Sequence, residues 1–104
     1  MNMKKNLTQK KVIRELKENR EVLKKYTVKK IGLFGSFVQN RQKVSSDIDF
    51  VVEFNKPSFD NLIGLIDYLE KLFDRKVDVL TSEGVKNIRV KKVAEDIKRN
   101  LIYA

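Results

Sequence analysis

Asp47 and Asp49 stand two residues apart in the stretch Ser46-Asp47-Ile48-Asp49-Phe50-Val51-Val52. In an extended strand, side chains at i and i+2 point to the same face, roughly 6.5–7 Å apart along the chain. Two carboxylates held that close repel one another, and a divalent cation between them relieves the repulsion. A third acid follows in Lys76-Val77-Asp78-Val79-Leu80. Aspartate is disfavoured in mid-strand, so Asp78 between two valines needs a reason to be there. If the third strand lies beside the second, Asp78 joins the face of Asp47 and Asp49, and the three make an oxygen-only cage suited to Mg²⁺ or Mn²⁺. Metals in such a cage activate an attacking oxygen and stabilise a leaving phosphate. Without a cation, mutual repulsion is expected to raise at least one of the carboxyl pKa values. Just upstream, Gly35-Ser36 offers a backbone N–H and a hydroxyl to a phosphate. Each residue alone has an ordinary reading: a cap, a surface acid beside Lys76 or Arg75, a turn glycine. Their order along the chain is what points to a metal–nucleotide site.

Composition narrows the chemistry further. The 104 residues include no Cys and no His. Disulfides, zinc thiolates, thiol catalysis, His triads and imidazole metal sites are excluded, leaving Asp, Glu, Lys or Tyr for acid–base and metal work. Lys and Arg number 23 against 14 Asp and Glu, a net charge of +9. That balance suits an anionic partner such as nucleotide, RNA or an acidic protein surface, although scattered lysines also describe a merely solvated face. No apolar run reaches 18 residues and the first residues lack a signal-peptide core, so a soluble, cytoplasmic protein without a membrane partner is expected.

The elements that must position these residues follow from periodicity. Residues 1–104 read as one domain, with an N-terminal helix within 1–27 and a catalytic core over 28–104. Thr8 is the expected N-cap, with Leu7 and Val12 as a hydrophobic staple, and Val12, Ile13, Leu16, Leu23 and Tyr26 form the buried stripe. Strands are expected over 28–34, 47–54 and 76–80, with a helical turn over 36–40 between the first two. In the second strand Ile48, Phe50 and Val52 face one side, and Asp47, Asp49, Val51 and Glu53 the other. Residues 59–73 form the clearest helix, with Leu62, Ile63, Ile66, Leu69, Leu72 and Phe73 inward. Thr81-Ser82-Glu83-Gly84 breaks the chain, and a last helix over 87–99 places Val90, Val93 and Ile97 inward, with Leu101 just beyond. The fold class is α/β (α+β), a small mixed sheet flanked by helices. Phe34, Phe37 and Phe50 are expected in the core, Phe37 also near a nucleotide base. Tyr26, Tyr68 and Tyr103 are expected to pack rather than to catalyse.

The stretch from Gly35 to Val52, with its Gly-Ser, nine variable residues, then Ser-Asp-x-Asp and an apolar run, resembles the signature of minimal nucleotidyltransferases of the DNA polymerase beta superfamily. It is most similar to the MNT type found as the antitoxin of HEPN/MNT pairs, and the strand carrying Asp78 resembles that family's third-carboxylate strand. The resemblance implies the nucleotidyltransferase fold. It implies that Gly35 and Ser36 hold the triphosphate of ATP, at the N-terminus of a short helix starting at Ser36. It implies that Asp47 and Asp49 bind the metal ions, and that Asp78 completes the site and helps deprotonate the acceptor hydroxyl. Two departures stand out: Gln39-Asn40 where the family commonly has Arg-Gly, and Arg41 where it has an acid. Asn tolerates the positive φ that glycine would supply.

The function implied is transfer of AMP from ATP to a hydroxyl of a partner protein, a tyrosine of a cognate HEPN RNase toxin. A chain this short has no room for its own acceptor domain. Two alternatives stand beside it: an antitoxin that neutralises its partner by contact alone, and a subunit adding nucleotides to RNA 3′ ends. The third carboxylate favours catalysis, since a binding module has no use for it. Homo- or hetero-oligomers are compatible with either antitoxin reading.

Overall fold

The computed structural model describes residues 7–35, 47–86 and 101–104. The turn expected over 36–40 and the helix expected over 87–99 fall outside these residues, as do Ser36, Phe37 and the departures at 39–41. The elements in chain order are α1 (Gln9–Glu18), α2 (Arg20–Lys25), β1 (Val28–Phe34), β2 (Ile48–Phe54), α3 (Phe59–Phe73), β3 (Val77–Thr81), α4 (Ser82–Lys86) and β4 (Ile102–Tyr103).

The strands form one mixed sheet in the order β3-β2-β1-β4. β1 runs antiparallel to both β2 and β4, while β2 and β3 are parallel and joined by α3. That crossover explains why α3 packs back onto the sheet. The strand β4 was not anticipated. Two residues carry too little periodicity to be read, and pairing of Ile102 with Leu33 and Tyr103 with Gly32 is what defines it.

Alternation along β2 separates two faces. Ile48, Phe50, Val52 and Phe54 are buried against the helices, together with Ile31, Leu33 and Val77 from the flanking strands. From above come Val12, Leu16 and Leu23 of α1 and α2, and Leu65, Leu69 and Phe73 of α3. Phe50 is wholly buried and stacks on Phe73 at 6.1 Å between ring centroids. Burying such a ring contributes roughly 2–3 kcal/mol.

Caps explain the boundaries. The Thr8 hydroxyl accepts from the Lys11 amide at 3.3 Å, and the Ser58 hydroxyl from the Asn61 amide at 3.0 Å. The N-terminal stripe is split at Asn19, whose side-chain amide donates to the Glu15 carbonyl at 2.8 Å and terminates α1. In α3 the buried face is centred on Leu65, and Ile63 is exposed instead of inward. Residues 81–84 do not simply break the chain. The Thr81 hydroxyl accepts from the Gly84 amide at 3.0 Å and opens the short α4, whose Val85 is buried. Tyr26 packs against Tyr68 and lies so close to Gly64 that a Cβ there would meet its ring at 2.7 Å. Among the described residues no helix is long and apolar enough to cross a membrane.

Candidate active site

The acids collect at one end of the sheet, on the face away from the main helices. Asp49 is the second residue of β2, with Phe34 of β1 opposite on one side and Asp78 of β3 opposite on the other. Parallel pairing sets the Asp49 and Asp78 backbones about 4.8 Å apart, with both side chains on one face. The register is held by the Ile48 amide, which donates to the Lys76 carbonyl at 3.1 Å. It is also held by Glu70 of α3, whose carboxylate accepts from the Val77 amide at 3.2 Å. Glu70 was not singled out from the sequence. Its signal is its place in the last turn of a helix, where the helix dipole disfavours an acid unless it has other work.

Asp49 is half-buried, while Asp47 and Asp78 are exposed. The Asp49 carboxyl is pushed up from its ordinary 3.8 to about 6. Burial is the largest cause; the Asp78 charge and a hydrogen bond shared with Asp78 come next, and the Asp47 charge last. The direction matches the sequence expectation, but desolvation rather than repulsion leads. A carboxylate in the second position of a central strand is flanked by two strands, and they exclude water from it before any neighbouring charge acts.

Gly35 closes the site from the β1 side. Its φ of +77° lies in the left-handed region. A Cβ built there would collide with the Asp49 carboxylate oxygen. Glycine thus serves the turn and lets the backbone press against the acid. Ser36 follows immediately in sequence and lies outside the described residues.

Of the sequence-derived site residues, the structure brings Gly35, Asp49 and Asp78 together, with Asp47 at the entry to β2. Among the described residues no three acids converge into a closed cage. The contact pair is Asp49 and Asp78, and Asp47 acts on Asp49 through its charge alone. The fit to a divalent cation rests on this pair. Two carboxylates share a hydrogen bond, one is held up in pKa, and among the described residues neither has a cationic side chain in a salt bridge with it. All-oxygen donors of this kind suit Mg²⁺ or Mn²⁺.

A model of the nucleotidyltransferase domain matches residues 10–104. A Methanocaldococcus jannaschii protein, provisionally named a protein adenylyltransferase, is 46% identical over 92 residues, spanning 85% of this chain and 89% of its own. The protein adenylyltransferase MntA of Thermococcus cleftensis is 33% identical over 85 residues, spanning 81% of this chain and 82% of its own. Among solved structures, one described provisionally as a minimal nucleotidyltransferase superposes with a TM-score of 0.73 at 18% identity, covering 92% of this chain and 95% of that one. A toxin–antitoxin complex with AMP-PNP gives a TM-score of 0.61 at 22% identity, covering 93% and 72%. A tri-AMPylated Shewanella oneidensis HEPN toxin in complex with its MNT antitoxin gives 0.53 at 19%, covering 95% and 70%. At these identities the structural likeness establishes the fold, a mixed sheet with flanking helices. The family match over nearly the whole chain does more: this protein belongs to the nucleotidyltransferase domain family, in its minimal form.

Proposed function

We propose that this nucleotidyltransferase moves AMP from ATP to a hydroxyl of a partner protein, a tyrosine of a cognate HEPN-type toxin, and thereby silences it. The observation that carries the reading is the Asp49–Asp78 pair in parallel register beside Gly35. The names of the relatives support protein as the acceptor, and the AMP-PNP and AMPylated-toxin complexes of structural neighbours support ATP and a HEPN partner.

In this reading Gly35 and Ser36 would hold the triphosphate, and Asp49 and Asp78 would hold Mg²⁺ or Mn²⁺, with Asp47 at the entry to β2 as the further ligand. The bound cation supplies neutralisation of phosphate charge at the reacting centre. The Gly35 backbone keeps the triphosphate end beside the Asp49 carboxylate. Asp78, the more exposed of the pair, accepts the proton of the incoming phenol. The new bond joins the tyrosine oxygen to the α-phosphorus, and the bond to pyrophosphate breaks in line with it. Glu70 acts through β3, holding Asp78 level with Asp49.

The test is incubation with α-labelled ATP, Mg²⁺ and the HEPN-type protein encoded beside this one, followed by mass measurement of the partner. AMP-sized mass gains on a tyrosine are expected. Asp47→Asn with Asp49→Asn should reduce them by about 10³-fold or more without loss of fold. No transfer by the parent, with both proteins still neutralising the toxin, would make it a contact antitoxin. Label on RNA 3′ ends instead would reassign the acceptor.

A further inference from the structure

Two depressions flank α1, on the helix side of the sheet's β1–β4 edge. One, of about 300 Å³, lies between the α1–α2 pair and the first half of β1. The other, of about 410 Å³, lies between the first turns of α1 and Ile102 of β4. Gln9, Ile13, Leu16 and Lys17 fall on one side of α1, with Arg20 following at the start of α2, so the two depressions lie end to end along α1 and adjoin at Lys17, as one groove. Every charged side chain lining it is cationic: Lys10, Arg14, Lys17, Arg20 and Lys24 from the helices, Lys29 and Lys30 from β1. Glu15 and Glu18, the acids of α1, line neither depression.

Lys10, Arg14 and Lys17 recur at helical spacing, so they form a single row about 10 Å long. Like charges at i and i+4, here Lys10 and Arg14, cost a helix a few tenths of a kcal/mol. Lys24 and Lys29 have ion partners in Glu21 and Glu53, but among the described residues Lys10, Arg14, Lys17 and Arg20 have none.

The floor decides what kind of anion fits. It is aliphatic: Ile13 and Ile102 at one end, Leu16, Leu23 and Val28 at the other. Sites for single-stranded nucleic acid combine a basic groove with aromatic platforms for the bases. No aromatic side chain lines either depression; Tyr103, which is half exposed instead of packed, lies outside both, with the Lys30 ammonium 5.9 Å from its ring centre. Basic rims over an aliphatic floor fit a segment that carries acids on its edges and Leu- or Ile-sized anchors between them.

The groove also points toward the chemistry. Ile102 pairs with Leu33, two residues before Gly35, and Asp49 pairs with Phe34. On strand spacing, Ile102 lies about 10 Å from Asp49. A chain leaving the groove past Lys10 comes to the Gly35 end of the sheet, around which the carboxylates lie.

We propose that this groove docks the acceptor protein by an acidic, amphipathic segment of it, which rests on the reading of the protein as a transferase acting on another protein. The first arm of the test uses a labelled helical peptide of about 14 residues, roughly 21 Å long, with Leu at i, i+3, i+4 spacing and Glu elsewhere. Anisotropy should show it binding the parent. Lys10→Glu with Arg14→Glu and Lys17→Glu should weaken it about 10-fold or more, and replacing the peptide's Leu by Ala several-fold. Should that variant lose its fold, Lys17→Gln with Arg20→Gln should still weaken binding measurably. The second arm measures transfer to the partner, where the groove variants should raise KM about 10-fold and leave kcat in place.

Equal binding of the Leu and Ala peptides would reduce the groove to unspecific charge. A uridine oligomer of matched charge that displaces the peptide would make it a nucleic-acid surface. An unchanged KM would detach it from the acceptor. Each of these overturns the proposal. Peptide binding with no transfer by any variant would sink the transferase reading instead, because the peptide reports docking alone.

Discussion

β1 is flanked at each end by a residue in the left-handed region, and the two flanks are built in opposite ways. Before the strand stands Thr27 at φ +59°, an unfavourable conformation for a β-branched residue. Around it everything is paired. Its hydroxyl donates to the Lys56 carbonyl at 3.2 Å and accepts from the Lys56 amide and the Asn61 side chain, and its carbonyl takes the Asn55 amide at 2.7 Å. After the strand stands Gly35 at φ +77°, where the chain is relieved of a side chain altogether. The space so gained brings the backbone against Asp49, a half-buried acid next to another acid. One end spends hydrogen bonds to hold strain for stability. The other holds repulsion and desolvation in place, which a cationic ligand would relieve. Strain alone does not mark a functional site; what surrounds it does.

Three changes break or sharpen that contrast. The largest effect is expected from Gly35→Ala, which meets both the positive φ and the Asp49 carboxylate. It should cost about 2 kcal/mol in denaturant unfolding and cut transfer well beyond the fraction unfolded. Next is Thr27→Ala, which removes the hydroxyl that ties the turn before β1 to the turn before α3. It should cost about 1 kcal/mol and leave transfer per folded molecule unchanged. Transfer lost in step with Gly35→Ala would mean the two ends are not separable.

The smallest effect is a pH dependence. Folded Asp49 holds its proton up to about 6, whereas the unfolded chain releases it near 3.8. Between those values the folded state binds more protons, so stability contributed below pH 4 is lost as pH rises through 6. The shift converts to about 3 kcal/mol, but the carboxylate is partly open to solvent, and about 1 kcal/mol is the expected loss. Metal-free melting curves from pH 4 to 7 should show it in the parent and not in Asp49→Asn. A rise in stability across that range traceable to Asp49 would reverse the sign and contradict the assignment.

The legible parts of the molecule are those governed by local period. β1 and α3 have the boundaries their patterns indicate, and β2 and β3 lie within a residue of theirs. The face carrying Asp49 follows from alternation alone. Asp78 joins the Asp49 face because β3 lies beside β2, a neighbourhood that the sequence pattern allows without requiring it. What the sequence could not carry is long-range. Glu70 reaching the Val77 amide, Gly35 against Asp49 and β4 beside β1 each depend on where another element lies. Ile63 shows the limit of pattern reading. It is as apolar as Leu65, and only the rotation of α3 on the sheet decides which one is buried. The groove beside α1 was hidden for the same reason, its lysines reading singly as a solvated face.

The central claim is that the carboxylate end of the sheet is built for a divalent cation and disfavoured without one. Melting of the parent and of Asp49→Asn at pH 7.5, each with and without Mn²⁺ and a non-hydrolysable ATP analogue, tests it most directly. The account predicts that Asp49→Asn melts no lower than the parent in chelator, and that Mn²⁺ with the analogue raises the parent by several degrees and the variant by little. Equal gains in parent and variant, or an Asp49→Asn protein that is the less stable of the two without metal, would contradict it.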